Sequence, residues 1–193
     1  MSPQVPPVPE KKVVEKSRFN SKEKGSEYER EMGKALSLWL TKGLKEDCVT
    51  RTEGSGARFT NVGKGAPGDL TCCHPLSYPF FEKFIIECKF WRDIEMLEFI
   101  LKKGDLYWYF VELIKQCDKC ERLPFMIVRQ NYRPSLIICP SRPVLAIMPV
   151  NPNFNYHLLF AERYYMSTFD DFLKLDPDGF VAEARVNLEG KFQ

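Results

Sequence analysis

Histidine is almost missing from this 193-residue chain, with only His74 and His157 present. That scarcity argues against HNH or histidine-rich metallohydrolase schemes. No apolar run reaches the roughly 18 residues that a membrane-spanning helix needs, so no membrane partner is expected. The opening MSPQVPPVPEKK carries prolines where a secretory signal has a continuous apolar segment, which leads us to expect an intracellular protein. An even cysteine set is lacking as well. Seven cysteines scattered through apparent core segments fit reduced thiols better than a disulfide framework. A large net charge is also absent, and the total of +2 does not advertise a nucleic-acid partner. What remains is 44% apolar, 13% aromatic and 28% charged residues, the composition of a folded domain with a real core.

The charge is segregated along the chain. Residues 1–24 hold six Lys or Arg against three Asp or Glu, which leaves 22 against 23 for the rest. Residues 122–161 contain four arginines (Arg122, Arg129, Arg133, Arg142) and no acid. Such a stretch is either a solvated face or a phosphate-contacting surface. The Pro- and Lys-rich residues 1–24 read as a disordered basic arm, 25–150 as the folded core, and 151–193 as an extension packed on it.

Within the core, 26–41 reads as a helix with Ser26 as N-cap, Glu29 as its capping-box partner and Gly43 as the stop. Tyr28, Met32, Ala35, Leu36, Trp39 and Leu40 form one stripe on it. Residues 47–52 suggest a strand, and 53–68, with five glycines, a long loop. Residues 69–74 and 83–91 suggest a strand hairpin, 94–103 and 105–117 helices, and 124–129, 136–139 and 144–148 three further strands. Residues 169–175 suggest a late helix.

The sharpest signal is Gly68-Asp69 followed, after 17 residues, by Glu87-Cys88-Lys89 in the apolar run FIIECKF. Alternation puts Glu87 and Lys89 on one face of a strand and Ile86 and Cys88 on the other. If Asp69 opens the neighbouring strand, two carboxylates and one ammonium converge at a strand end. Oxygen ligands of this kind suit Mg²⁺ or Mn²⁺. Lys89 then orients or deprotonates an attacking water, or stabilises charge on a phosphate. The bland alternative is a surface Glu/Lys pair, but charges inside an apolar run carry a desolvation cost unless partnered.

These residues, in this order, resemble the PD-(D/E)XK nuclease superfamily, and within it archaeal-type Holliday junction resolvases and related phage endonucleases. KGSEYERE (residues 24–31) looks like the family's first-helix signature, with Glu29 and Arg30 as its Glu-Arg pair. VTRTEGSG (49–56) is similar to its strand-to-loop signature and implicates Arg51 and Ser55 near the scissile phosphate. PGD (67–69) and IECK (86–89) complete the order, although Gly68 stands where proline usually precedes the aspartate. The connection from Asp69 to Glu87 and the tail after Val150 look longer than in the small resolvases.

The resemblance implies an α/β, restriction-endonuclease-like core with a central mixed sheet flanked by helices in α-β-β-β-α-β order. It implies a Mg²⁺- or Mn²⁺-dependent DNA endonuclease, selective for branched or junction DNA and acting as a homodimer in the cytoplasm of a prokaryote or a phage-infected host. Asp69, Glu87 and Glu29 hold the metal; Glu29, Asp69, Glu87, Lys89, Arg51 and Ser55 form the catalytic set; Arg30, Arg51, Ser55, Arg58 and Lys64 contact DNA. A restriction-like or strand-processing phage nuclease, or a DNA-binding protein that keeps the fold without the chemistry, stays open beside this reading. Cys117-x-x-Cys120 and Cys72-Cys73-His74 read as core thiols rather than a zinc site. The cluster 107–110 reads as core and dimer interface rather than as a base-stacking platform.

Overall fold

The computed structural model describes residues 21–52, 67–148 and 155–184. The first helix, α1 (Ser21–Leu40), buries Tyr28, Met32, Leu36 and Trp39, the stripe that its 3.6-residue period predicts. It begins five residues before Ser26. The Lys- and Glu-rich lead-in continues the helix through Gly25, whose cost of about 1 kcal/mol is too small to break it. Glu29 is therefore mid-helix and not a capping-box residue. The helix stops where expected: Lys42 and Gly43 both take left-handed φ, and the Gly43 N–H donates to the Leu38 carbonyl at 2.7 Å.

Strand β1 (Val49–Arg51) pairs antiparallel with β2 (Leu70–Cys72), which in turn pairs antiparallel with β3 (Phe84–Trp91). The connection between β2 and β3 contains a 3₁₀ turn and α2 (Tyr78–Lys83), not merely a loop. After β3, α3 (Met96–Ile100) and α4 (Gly104–Cys120) cross over to β4 (Leu123–Gln130), which runs parallel to β3 in register from Phe84↔Leu123 to Trp91↔Gln130. Strand β5 (Leu136–Pro140) returns antiparallel to β4.

Residues 144–148 are not a strand. They belong to α5 (Ser141–Ile147), in which Pro143 occupies the first turn, where no N–H is required. The place beside β5 is taken by β7 (Tyr164–Thr168), flanked by β6 (Tyr156–Leu159). The result is one seven-stranded mixed sheet in the order β1-β2-β3-β4-β5-β7-β6. Two short helices, α6 (Phe169–Phe172) and α7 (Pro177–Glu183), follow and close over α1's side of the sheet.

Side-chain alternation divides the core into two layers. Phe84, Ile86 and Cys88 of β3, with Phe125 and Ile127 of β4, face α1, α2, α6 and α7. Ile85, Met126 and Val128 face α3 and α4, against Phe99, Leu106, Phe110, Leu113 and Cys117. The fold is thus an α/β sandwich of helices around a mixed sheet, as the resemblance implies. Among the described residues no helix is long and apolar enough to cross a membrane.

Candidate active site

Asp69 sits in the last residue before β2 and is held from three sides. Its N–H donates to the Ile86 carbonyl at 2.8 Å, its carbonyl accepts from the Thr52 N–H at 2.9 Å, and its Oδ2 accepts from the Cys88 N–H at 2.9 Å. Gly68 makes this approach possible. Its φ is +88°, and a Cβ there would lie 2.5 Å from the Ile86 carbonyl oxygen. Proline, with φ fixed near −65°, cannot take this conformation, which gives the departure at Gly68 a local backbone reason.

Glu87 and Lys89 share the α4 face of β3, as alternation requires, while Ile86 and Cys88 enter the opposite core. The Lys89 ammonium donates to Glu87 Oε1 and lies 3.7 Å from Asp69 Oδ2. It bridges two carboxylates that would otherwise repel. Burial, and then the charge of Glu87, push Asp69 up to about 7, against the opposing pull of Lys89 and the Cys88 N–H. Burial alone lowers Lys89, but Glu87 and Asp69 more than reverse this, and its net shift is upward.

Glu29 stands slightly apart. From α1 it accepts a 2.5 Å hydrogen bond from Arg51 Nε on β1, with the carboxylate side chain 14% exposed. It contributes the smallest part of the upward push on Asp69. Arg30 is exposed on the outer side of α1. Ser55, Arg58 and Lys64 lie outside the described residues. Among the described residues, no three His, Cys, Asp or Glu side chains gather as one metal-holding group. Asp69, Glu87 and Lys89 are what the fold brings together, with the Glu29–Arg51 pair on the neighbouring strand and helix.

The donor set nevertheless fits a hard cation. Mg²⁺ is held by one or two carboxylates and completes its shell with water and phosphate oxygens. A buried aspartate whose charge is opposed by its surroundings gains most from a cation brought beside it. The cysteines have other surroundings: Cys117 lies in the α4 core, Cys120 is exposed, Cys73 Sγ donates to the Asp47 carbonyl, and His74 Nδ1 accepts from the Leu76 N–H.

Two aromatic rings meet at the lysine, Trp91, which the sequence reading does not single out, and Tyr109, which it assigns with the 107–110 cluster to core and dimer interface. Tyr109 of α4 lays its ring 5.2 Å from Lys89 Nζ, and Trp91 meets that ring edge-on at 5.4 Å. Trp91 was within reach, being two residues beyond Lys89 on the same strand face. Tyr109 comes from a separate helix, and no spacing signals it. The cluster 107–110 is consequently split, since Phe110 is core whereas Trp108 and Tyr109 are 60% and 49% exposed.

The opposite face of the same strand end opens into a groove of about 720 Å³, lined among others by Tyr28, Phe90, Arg129, Tyr132 and Arg133. Arg129 stacks over the Tyr28 and Phe90 rings at 4.6 and 5.1 Å and pairs with Glu31 at 2.9 Å. Two arginines of the acid-free stretch thus lie on the other side of β3 from Lys89.

No curated protein and no solved structure matches the chain. A family model described as "Phage putative PDDEXK endonuclease" matches residues 20–181. The matched span runs from the start of α1 past the last strand of the sheet, and the chain belongs to this phage PDDEXK endonuclease family of the PD-(D/E)XK nuclease superfamily.

Proposed function

We propose that the protein is a Mg²⁺- or Mn²⁺-dependent DNA endonuclease whose site is built on Asp69, Glu87 and Lys89, with junction DNA as its leading substrate. One observation carries this reading: an ammonium is suspended between two carboxylates, Glu87 on the same face of β3 and Asp69 in the last residue before β2, the latter buried and with its charge opposed by its surroundings. An arrangement that opposes its own ionisation costs stability and is retained where chemistry needs it. Asp69 and Glu87 hold the metal, with Glu29 assisting from α1. When bound, the ion supplies Lewis acidity towards phosphate oxygens.

The other steps belong to this chain's own side chains. Lys89 donates hydrogen bonds that orient the attacking water and stabilise negative charge growing on the phosphate. Arg51, paired with Glu29, brings its positive charge towards a phosphate oxygen, and Ser55, Arg30, Arg58 and Lys64 extend the contact along the backbone. The basic arm 1–24 and the arginines of 122–161 supplement the core 25–150, on which residues 151–193 act as an extension. Junction resolution calls for two such sites, hence a homodimer.

The test is metal-dependent cleavage of a four-way junction beside the matched duplex and single strand, together with the mass of the protein in solution. Preferential cutting of the junction by a dimer supports the full reading. Equal cutting of all three removes junction selectivity but keeps the nuclease. Absence of metal-dependent cutting, with DNA still bound, leaves a DNA-binding protein on a nuclease fold.

A further inference from the structure

The wall beside Lys89 has a chemistry that phosphate hydrolysis does not require. On the α4 face, β3 presents Glu87, Lys89 and Trp91 in succession, and Tyr109 closes the row from α4. The two rings meet at 61° with centroids 5.4 Å apart, an edge-to-face contact that fixes each against the other. Tyr109 is 49% exposed, so part of its ring faces solvent while Lys89 occupies another side. Folding alone does not explain this. Trp91 packs against the α4-side core and braces the ring, but Tyr109 itself is half exposed, and an aliphatic residue there would cover the Lys89 stem equally well. A flat apolar ring rigidly mounted next to a phosphate-directed cation matches one ligand chemistry, a nucleotide whose base is out of its stack.

We propose that Trp91 and Tyr109 form a nucleobase-stacking wall, on which an unpaired base next to the scissile phosphate rests. The proposal rests on the nuclease reading of Asp69, Glu87 and Lys89 and deepens it by naming what the site recognises in its substrate: a base locally unpaired beside the scissile phosphate, as at a branch point. A base in a continuous duplex has both faces covered by its neighbours and cannot use the wall. The rings therefore select by the state of the base rather than by its identity, because every base offers a π face. Leu97, Ile100, Leu101 and Trp108 are exposed as well. They are not part of the proposed wall, which consists of the ring over Lys89 and the ring that braces it.

The experiment compares binding of a short oligothymidylate with that of the same strand stripped of its bases, using the full chain in EDTA so that nothing is cut. Both strands carry identical phosphates, so only stacking separates them. Wild type should bind the base-bearing strand about tenfold more tightly, the lower part of the range for aromatic stacking. Trp91→Leu and Tyr109→Leu should each lose most of that preference, and Tyr109→Phe should keep it, since the ring and not the hydroxyl is used. Equal binding of the two strands by wild type, or an undiminished preference in both leucine variants, overturns the proposal. So does a shift from dimer to monomer in the leucine variants with the preference unchanged, which would make this face a self-association surface. Metal-dependent cleavage by wild type, measured alongside, separates the two readings: cleavage without the preference defeats only the wall, whereas a protein that neither binds nor cuts DNA defeats both.

Discussion

Phe84, Ile85 and Ile86, the first three residues of β3, are wholly buried, whereas Glu87 and Lys89, the next charged positions on the same strand, are each 19% exposed. The first half is held by a dense aromatic cluster: Phe84 stacks on Phe80 at 4.9 Å and on Phe180 at 5.2 Å, and meets Phe125 edge-on. The second half places a carboxylate and an ammonium beside Asp69 of the neighbouring β2 edge, where each ion's desolvation is only partly offset by its neighbours. One half of the strand stabilises the fold, and the other draws on that stability to keep charged groups in fixed positions. The parallel pairing with β4 runs the whole length of β3 and keeps the charged half from relaxing away from its partners.

The largest effect expected from this contrast lies in the apolar half. Phe84→Ala should cost about 3–5 kcal/mol of stability in urea unfolding, because the neighbouring rings are fixed and cannot collapse into the space. A loss below about 1 kcal/mol would break the comparison. Next comes Lys89→Met in the charged half, expected to lower metal-dependent cleavage by about 100-fold or more while destabilising the protein less than Phe84→Ala does. Full activity of that variant would remove the lysine from the mechanism. Gly68→Ala should touch both halves at once. It forces a side chain into left-handed φ and into the Ile86 carbonyl, costing on the order of 1–3 kcal/mol, and it moves Asp69, so cleavage should fall further than the stability loss alone explains.

The charged half was the more legible in sequence. Period-two alternation alone puts Glu87 and Lys89 on one face, and the hairpin reading of 69–74 and 83–91 sets Asp69 beside them, where it is the last residue before β2. The stripe on α1 was equally plain. Where the reading failed, a local signal had two physical meanings. Ser26 and Glu29 have capping-box spacing, yet a Lys- and Glu-rich lead-in extends the helix past them. The apolar run after Pro143 suits a strand or a helix, and the proline sits comfortably in a first turn. Strands β6 and β7 went unseen because their hairpin turns through Phe160, Ala161 and Glu162, all left-handed, with no glycine or asparagine to announce it. Tyr109 reaches Lys89 only through tertiary packing, which no local pattern encodes.

The subtlest effect concerns Asp69 itself. Its folded pKa lies near 7, above the unfolded value of 3.8, so between these limits the native state holds a proton that the unfolded chain has released. The Asp69 contribution to stability then falls as pH rises from about 4 to about 7 and is flat beyond, since the unfolded state binds fewer protons at this group throughout that window. Asp69→Asn keeps the shape and an oxygen that can still accept from the Cys88 N–H, but it cannot ionise. In EDTA the variant should match wild type below pH 4 and exceed it by at least about 1 kcal/mol at pH 8, with the wild-type slope between pH 4 and 7 diminished. Mg²⁺ should reverse the ranking at pH 8 by stabilising wild type and not the variant, because a cation beside Asp69 offsets the charge that burial opposes. Urea unfolding at pH 4 and pH 8, with and without Mg²⁺, tests each part. If wild type and Asp69→Asn respond alike to both pH and Mg²⁺, the aspartate is an ordinary structural residue, and the strain assigned to the charged half of β3 must reside elsewhere.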